Sequence, residues 1–276
     1  MKYGLCTSMV SLNPNGIGIE FASTVKRLGY DYIELPLAEL SALSDLEFSE
    51  LRSFLNNLEL TCEACNNFFP KSFRLTGPNV DLPAIREYIG RALERAAQLQ
   101  TNVVVFGSGA AKRVPEGFAH ERAFEQLVSL LQDIDRTADQ YGVTIALEPL
   151  ESRECNIINT FKEAGVLATA SRFDHIRVLA DYYHMTWERE SPRILVEKSN
   201  LLAHVHFSCP YRPGVGERVA PAIGDGWNYD DFFSALKEAE YNGRISIEAY
   251  SRDVEHHAKD ALVFLKGIFS NEESED

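Results

Sequence analysis

The stretch that decides the fold is Asn102-Val103-Val104-Val105-Phe106, which is followed by Gly107-Ser108-Gly109. A run this short, rich in β-branched residues and ended by glycines, predicts a strand that is buried on both faces. An amphipathic segment from about Glu121 to Tyr141 follows, and Gly142, a residue type that often terminates helices, ends it. A second apolar run, Val143 to Glu148, comes next. Strand, helix and strand in this order predict a βαβ unit with parallel strands.

The same alternation of short apolar runs and longer amphipathic segments recurs along the chain. We predict eight strands, over Lys2–Thr7, Tyr32–Leu35, Leu60–Asn66, Asn102–Phe106, Val143–Glu148, Ile176–Asp181, Leu201–Phe207 and Arg244–Glu248. Helices are predicted near Gly18–Leu28, Leu46–Leu58, Glu121–Tyr141, Tyr229–Ala239 and Val254–Phe269, with two more after a cap at Asp81 and a capping box at Thr160 and Glu163. A long polar loop is expected after the seventh strand.

Eight βα units predict an α/β fold, and specifically a (β/α)8 TIM barrel whose eight parallel strands form a closed sheet. An open, doubly wound sheet is the alternative, but no GxGxxG motif follows the first strand. No change of composition divides the chain. We therefore expect one barrel domain over residues 1–270 and a flexible acidic tail over residues 271–276.

The composition limits the partners. The formal net charge is −14 and the sequence pI is about 5.0, which argues against a protein that binds nucleic acid through its phosphates. No segment approaches the roughly 20 apolar residues that cross a bilayer, so no membrane contact is expected. The N-terminus lacks the pattern of a signal peptide. These features predict a cytoplasmic protein.

The five cysteines are odd in number and scattered, which predicts free thiols. Cys62 and Cys65 form a CxxC, but it falls inside a predicted strand. Residues three apart on a regular strand face opposite sides. We therefore expect neither a zinc site nor a redox site there.

Four predicted strands end in residues that are costly to bury: Glu148, Asp181, His206 and Glu248. In a closed βα barrel the reactive groups lie at the carboxyl ends of the strands. One such carboxylate alone could pair with a neighbouring lysine or arginine. Three together would repel one another unless a divalent cation lay between them. Their oxygens and one imidazole favour Mn, Mg or Co and leave Zn open. His204, one pleat deeper, is expected to be a core histidine.

Residues around these ligands resemble those of the xylose-isomerase-like barrels, a family of sugar and sugar-phosphate isomerases and epimerases, and are most similar to the ketose 3-epimerases. The run Asp181-Tyr182-Tyr183-His184-Met185 matches the family's D-x-x-H-M stretch. Glu154, six residues after Glu148, matches a substrate-contacting glutamate. Arg212, six residues after His206, matches a substrate-binding arginine.

This resemblance implies an isomerase that uses one divalent metal ion. It implies that Glu148 and Glu248 both bind the ion and move the proton beside a carbonyl, through a cis-enediolate. Glu154, His184 and Arg212 would bind the substrate. The expected substrate is a ketose or a sugar phosphate and the expected reaction a 3-epimerisation. The family also implies a homodimer.

Two departures leave the substrate open. The epimerases usually carry Asn-Arg where this chain has Glu151 and Ser152, and the loop 66–78 resembles uncharacterised members. Alternatives are therefore a keto-inositol dehydratase, a hydroxypyruvate-type isomerase, an abasic-site endonuclease and a non-catalytic sugar-binding relative. Candidates for binding a substrate phosphate are Lys71, Arg74, Arg153 and Arg218.

Overall fold

The computed structural model describes residues 1–270, and the acidic tail predicted over residues 271–276 lies outside them. The strands are β1 Lys2–Cys6, β2 Tyr32–Pro36, β3 Thr61–Asn66, β4 Val103–Phe106, β5 Thr144–Leu147, β6 Ile176–Asp181, β7 Leu202–Phe207, β8 Cys209–Arg212, β9 Gly216–Val219 and β10 Arg244–Ile247. Within the described residues, eight of these strands close into a barrel in the order β1-β10-β7-β6-β5-β4-β3-β2. All eight pairs of neighbouring strands in this barrel are parallel. The predicted (β/α)8 barrel is confirmed.

The helices surround this barrel. They are α1 Ala22–Leu28, α2 Leu37–Ala42, α3 Asp45–Asn57, α4 Leu82–Gln98, α5 Gly109–Lys112, α6 His120–Tyr141, α7 Phe161–Ala168, α8 Tyr182–Trp187, α9 Arg193–Glu197, α10 Asp230–Glu238 and α11 Val254–Ser270. The sequence analysis did not find the short helices α2, α5, α8 and α9, which lack the length for a clear periodic pattern. Among the residues described here, no helix is long and apolar enough to span a membrane.

Strand β4 explains how the core is divided. Its side chains alternate, so that Val104 and Phe106 pack outward against the helices while Val103 and Val105 point into the barrel. The interior layer is small, and its members are Tyr32, Ala64, Val103, Val105, Ala146 and Leu179. The larger apolar layer lies between sheet and helices. The barrel is therefore a packed core, and the free space for chemistry lies at its mouth.

The helices begin and end at the capping residues that the sequence predicts, and one cap differs in its hydrogen bonds. The Asp81 side chain accepts a hydrogen bond from the backbone N–H of Ala84, and Gly142 ends α6 in the left-handed region at φ 66°. The Thr160 hydroxyl accepts from the N–H of Glu163, as a capping box requires. The Glu163 carboxylate, however, accepts from the N–H of Asn159. Only half of the predicted box is formed.

The prediction that Cys62 and Cys65 face opposite sides is wrong. Strand β2 pairs with β3 through Tyr32 to Thr61 and then through Glu34 to Ala64, so β3 holds one extra residue. This bulge interrupts the alternation of side chains. Both thiols consequently lie on the helix-facing side, with their Sγ atoms 3.7 Å apart.

A β-hairpin stands where a polar loop was expected after β7. Its strands β8 and β9 are antiparallel, with Cys209 opposite Val219 and Arg212 opposite Gly216. They form a separate two-stranded sheet beside the barrel. The hairpin brings two charged residues, Glu217 and Arg218, to the barrel mouth.

Candidate active site

Four side chains meet at the carboxyl end of the barrel. Glu148 follows β5 directly, Asp181 ends β6, His206 lies in β7, and Glu248 follows β10. Each offers one ligand atom, and these four atoms all lie within 4.8 Å of one another. All four residues are buried. The structure thus brings together the four residues that the sequence analysis selected as metal ligands.

The two ring nitrogens of His206 face different surroundings. Nδ1 lies 3.2 Å from Glu148 Oε1 and 2.7 Å from Glu248 Oε2, whereas Nε2 lies 2.8 Å from Glu34 Oε1. Burial acts to lower the pKa of His206, but the Glu248 and Glu34 carboxylates outweigh it and raise that pKa well above its ordinary value. The charged imidazole is therefore favoured while no metal ion is bound, and a metal ion at Nδ1 would have to displace a proton.

The carboxylates carry more negative charge than their surroundings balance. Burial and repulsion from Glu148 and Glu248 raise the pKa of Asp181 to about 7, despite the opposing effect of Arg218. Burial would also raise the pKa of Glu248, but Arg218 and His206 hold it well below its usual range. Three carboxylates and one imidazole fit a single divalent cation in both charge and donor type.

Arg218 is a site residue that the sequence analysis placed only among possible phosphate ligands. Its buried guanidinium donates from Nη2 to Asp181 Oδ2 at 2.6 Å and to Glu248 Oε2, and it lies 4.8 Å above the ring centroid of Tyr183. Its backbone is in the left-handed region at φ 49°, which is unusual for a residue with a side chain. The Pro213-Gly214 pair, a turn signal, could have predicted the hairpin that carries it.

Arg212, predicted to bind substrate, lies outside this group. Its Nη2 donates to the backbone oxygen of Ala220 at 2.8 Å and lies 3.6 Å from Asp225 Oδ2. Arg212 ends β8, before the turn of the hairpin, and is not among the residues that line the cavity at the barrel mouth. Arg218, on the returning strand, is the arginine at the barrel mouth.

His184 lies between two hydrogen-bond donors at the edge of the site. The backbone N–H of Glu151 donates to His184 Nδ1 at 3.1 Å, and the Arg218 guanidinium, which can only donate, has Nη1 3.1 Å from Nε2. Burial and the nearby Arg218 cation lower the pKa of His184 well below its ordinary value and keep the ring neutral. Nε2 lies 3.6 Å from Asp181 Oδ2. Glu151, one of the two departures noted in the sequence, thus holds the His184 ring through its main chain.

A cavity of about 550 Å³ opens above the four candidate ligands. The residues that line it include Glu148, Glu154, His184, Arg218 and Glu248. Cavities of this size hold small-molecule ligands. Of the residues predicted to bind substrate, the structure therefore places His184 and Glu154 at the cavity.

A family model described as the xylose isomerase-like TIM barrel matches residues 22–268. The chain belongs to this family. A 3-dehydro-D-guloside 4-epimerase from Escherichia coli strain K12 is 27% identical over 139 residues, which are 49% of this chain and 50% of that protein. An inosose isomerase from Halalkalibacterium halodurans strain C-125 is 25% identical over 255 residues, covering 89% of this chain and 87% of that protein. These relatives are an epimerase and an isomerase, and this chain is an enzyme of that class.

Solved structures agree on the fold. A D-psicose 3-epimerase determined in the presence of D-fructose has a TM-score of 0.83 at 18% identity and covers 97% of this chain and 99% of its own. The structure of the IOLI protein with a bound zinc atom has a TM-score of 0.77 at 20% identity, with 98% of each chain covered. These likenesses establish the shared barrel across almost the whole chain.

Two residues that follow β4, Gly107 and Lys112, lie against Glu148. A Cβ atom at Gly107 would lie 2.1 Å from Glu148 Oε2, so a side chain at this position would force that carboxylate to move. The buried Lys112 donates from Nζ to the backbone oxygen of Glu148 at 2.9 Å and lies 5.9 Å from the ring centroid of Phe106. Lys112, at the end of α5, thus holds the main chain of Glu148, and Gly107 leaves space for its carboxylate.

Of the four basic residues that could bind a substrate phosphate, two line the cavity and two contact other parts of the protein. Arg153 is paired with Glu151 and lies 4.3 Å over the ring of Trp187. Arg74 donates to backbone oxygens of its own loop. Lys71 and Arg218 line the cavity.

Proposed function

We propose that this family member is a divalent-metal-dependent sugar epimerase or isomerase, with 3-epimerisation of a ketose as its reaction. The observation that carries the proposal is the position of two glutamates. Glu148 and Glu248 extend from strands β5 and β10, and both carboxylates lie within 3.2 Å of the same nitrogen, His206 Nδ1. Two carboxylates that lie this close together can act as a pair of bases on a small molecule held between them.

Glu148, Asp181, His206 and Glu248 would hold the metal ion. The ion would act as a Lewis acid for the negative charge that develops on the substrate oxygens. One glutamate takes the proton from the carbon beside the carbonyl, and the other returns a proton to the opposite face. The configuration at that carbon is thereby inverted without a net change of composition.

The remaining residues of the cavity bind the substrate in this proposal. His184 and the Arg218 guanidinium contact substrate oxygens, and the positive charge of Arg218 stabilises the charge that forms on them. Glu154 accepts a hydrogen bond from a hydroxyl group. Arg218 takes the role that the sequence resemblance gave to Arg212.

The relatives support this class of reaction. The psicose 3-epimerase structure was determined in the presence of D-fructose, and the IOLI structure contains zinc. Zn therefore joins Mn, Co and Mg, which the donor types favour, in a metal panel. The cytoplasmic location and the homodimer expected from the sequence stay predictions.

A second candidate is isomerisation of a keto-inositol. The inosose isomerase relative matches over 89% of this chain, and Glu151 and Ser152 replace the usual residues of the ketose 3-epimerases. The cyclic substrate would use the same pair of glutamates. The two candidates differ in which carbon exchanges its proton.

Proton exchange tests the proposal. The purified protein is incubated in D2O with ketoses, their phosphates and inososes, and proton NMR follows each carbon. We expect deuterium at C3 of a ketose, abolished by EDTA and restored by Mn²⁺ or Co²⁺. Exchange on the inosose ring alone would favour the second candidate, and exchange that persists in EDTA would refute metal dependence. Glu248→Gln is expected to lower the rate by about 10²–10⁴-fold.

A further inference from the structure

A charged side chain lies inside the barrel, below the candidate metal site. Glu34 is on β2, and its carboxylate has no exposure to solvent. Burying a carboxylate is costly unless several donors compensate it. An apolar residue of similar size would fill the same space at no such cost. Core packing therefore does not account for a glutamate at this position.

Donors from two other strands hold this carboxylate. Glu34 Oε1 is 2.8 Å from His206 Nε2, and Oε2 is 3.0 Å from His204 Nε2 and accepts from the Ser246 hydroxyl. The Tyr32 hydroxyl lies 2.8 Å from Ser246 Oγ and extends the network. With β2, β7 and β10 all contributing, Glu34 has little freedom to turn away from His206.

We propose that Glu34 is a positioning residue that fixes which nitrogen of His206 binds the metal ion. By accepting from Nε2–H, its carboxylate leaves the Nδ1 lone pair facing Glu148 and Glu248. A hydrogen-bonded carboxylate behind a metal-binding histidine also makes that histidine a stronger ligand. The inference rests on the proposed metal-dependent function and names a residue that the strand-end pattern did not select.

The same three residues, Glu34, His204 and His206, could alternatively hold a second cation, because their ligand atoms lie within 4.8 Å of one another. This would require His206 to bind one ion at each nitrogen. The Ser246 hydroxyl, which donates to Glu34, and the lack of solvent access to all three side chains argue against it. The number of ions bound per chain separates the two arrangements.

The first experiment uses the wild-type protein. It is labelled with ¹⁵N-histidine and loaded with Zn²⁺, and long-range ¹H–¹⁵N NMR identifies the protonated nitrogen of each ring. We expect one ion per chain, with His206 protonated at Nε2 and metal-bound at Nδ1. Metal at Nε2, or two ions per chain, would overturn the proposal.

The second experiment measures Mn²⁺ affinity by EPR titration. Glu34→Gln is expected to bind Mn²⁺ about 10–100-fold more weakly than wild type. Tyr32→Phe removes a hydroxyl of the same network that does not touch His206, and it should bind within threefold of wild type. Glu34→Gln with unchanged affinity would overturn the inference and leave the proposed function standing. A wild-type protein that binds no divalent ion would overturn both.

Circular dichroism of both variants in EDTA establishes that they are folded before metal is added. If Glu34→Gln does not fold, the NMR tautomer of wild-type His206 decides the question, since it needs no substitution.

Discussion

Replacing Arg218 by methionine tests the charge balance of the metal-free site. The change keeps an unbranched apolar stem and removes the guanidinium that donates to Asp181 Oδ2 and Glu248 Oε2. Two buried carboxylates then lose their shared cation. We expect a large loss of stability in the metal-free protein and a much smaller loss when a divalent ion is bound.

The magnitude follows from the burial of the pair. Breaking a buried ion pair by removing one partner costs about 3–5 kcal/mol, since it leaves an uncompensated charge. The pKa of Asp181 is raised to about 7, so this group can take up a proton at neutral pH and keep the cost near the lower limit. About 3 kcal/mol corresponds to a fall in Tm of roughly 6–12 °C for a domain of this size.

The assay is thermal and urea unfolding at pH 7.5, in EDTA and again with saturating Mn²⁺. Arg212→Met is the control, because Arg212 lies on the same hairpin but outside the site. It should cost less than Arg218→Met in EDTA and be insensitive to metal. If Arg218→Met unfolded within about 1 kcal/mol of wild type in EDTA, the reasoning about uncompensated carboxylates would be refuted.

Three further predictions concern the site and the opposite end of the barrel. Gly107→Ala should displace Glu148, because the new Cβ would lie 2.1 Å from Glu148 Oε2. Mn²⁺ binding should then weaken at least about tenfold, and a titration equal to that of wild type would contradict this prediction. Mn²⁺ at about 100 times its Kd should stabilise the wild-type protein by about 2.7 kcal/mol, and a Tm that none of Mn²⁺, Co²⁺ or Zn²⁺ raises would count against a metal site. Burial would raise the pKa of Glu63, but hydrogen bonds from Lys2 and Arg244 hold it below its ordinary value of 4.5. Wild type should therefore exceed Glu63→Gln in stability at pH 7, and urea titrations in EDTA should find this advantage lost as the pH falls below about 4.5; an advantage that persists at pH 3 would contradict it.

The barrel and its four candidate ligands could be predicted because their signals are local. Each strand is a short apolar run, and a polar residue at its end is visible in the sequence, as in Leu147-Glu148 and Ala180-Asp181. Closure of the barrel then brings these ends together whatever the details of the helices. No long-range information was needed to place them at one mouth.

The rest depends on contacts that the sequence does not mark. Arg218 looks like a loop charge until the hairpin reverses the chain over the barrel. Glu34 looks like an ordinary strand residue, because its partners His204 and Ser246 are more than 160 residues away. The bulge at Cys62 is visible only when β2 and β3 are paired. In each case a tertiary contact decided the outcome against a local pattern.

The separate sheet of β8 and β9 has a consequence for how this protein can diversify. The strands that carry Glu148 and Glu248 also hold the core together, so their sequence has little freedom to change. The hairpin pairs within itself, apart from one bridge between Val219 and Tyr250. Insertions or substitutions there can reshape the cavity without disturbing the register of the barrel. A library of variants confined to residues 209–217, which leaves Arg218 in place, is therefore the direct route to new substrates with the four candidate ligands unchanged.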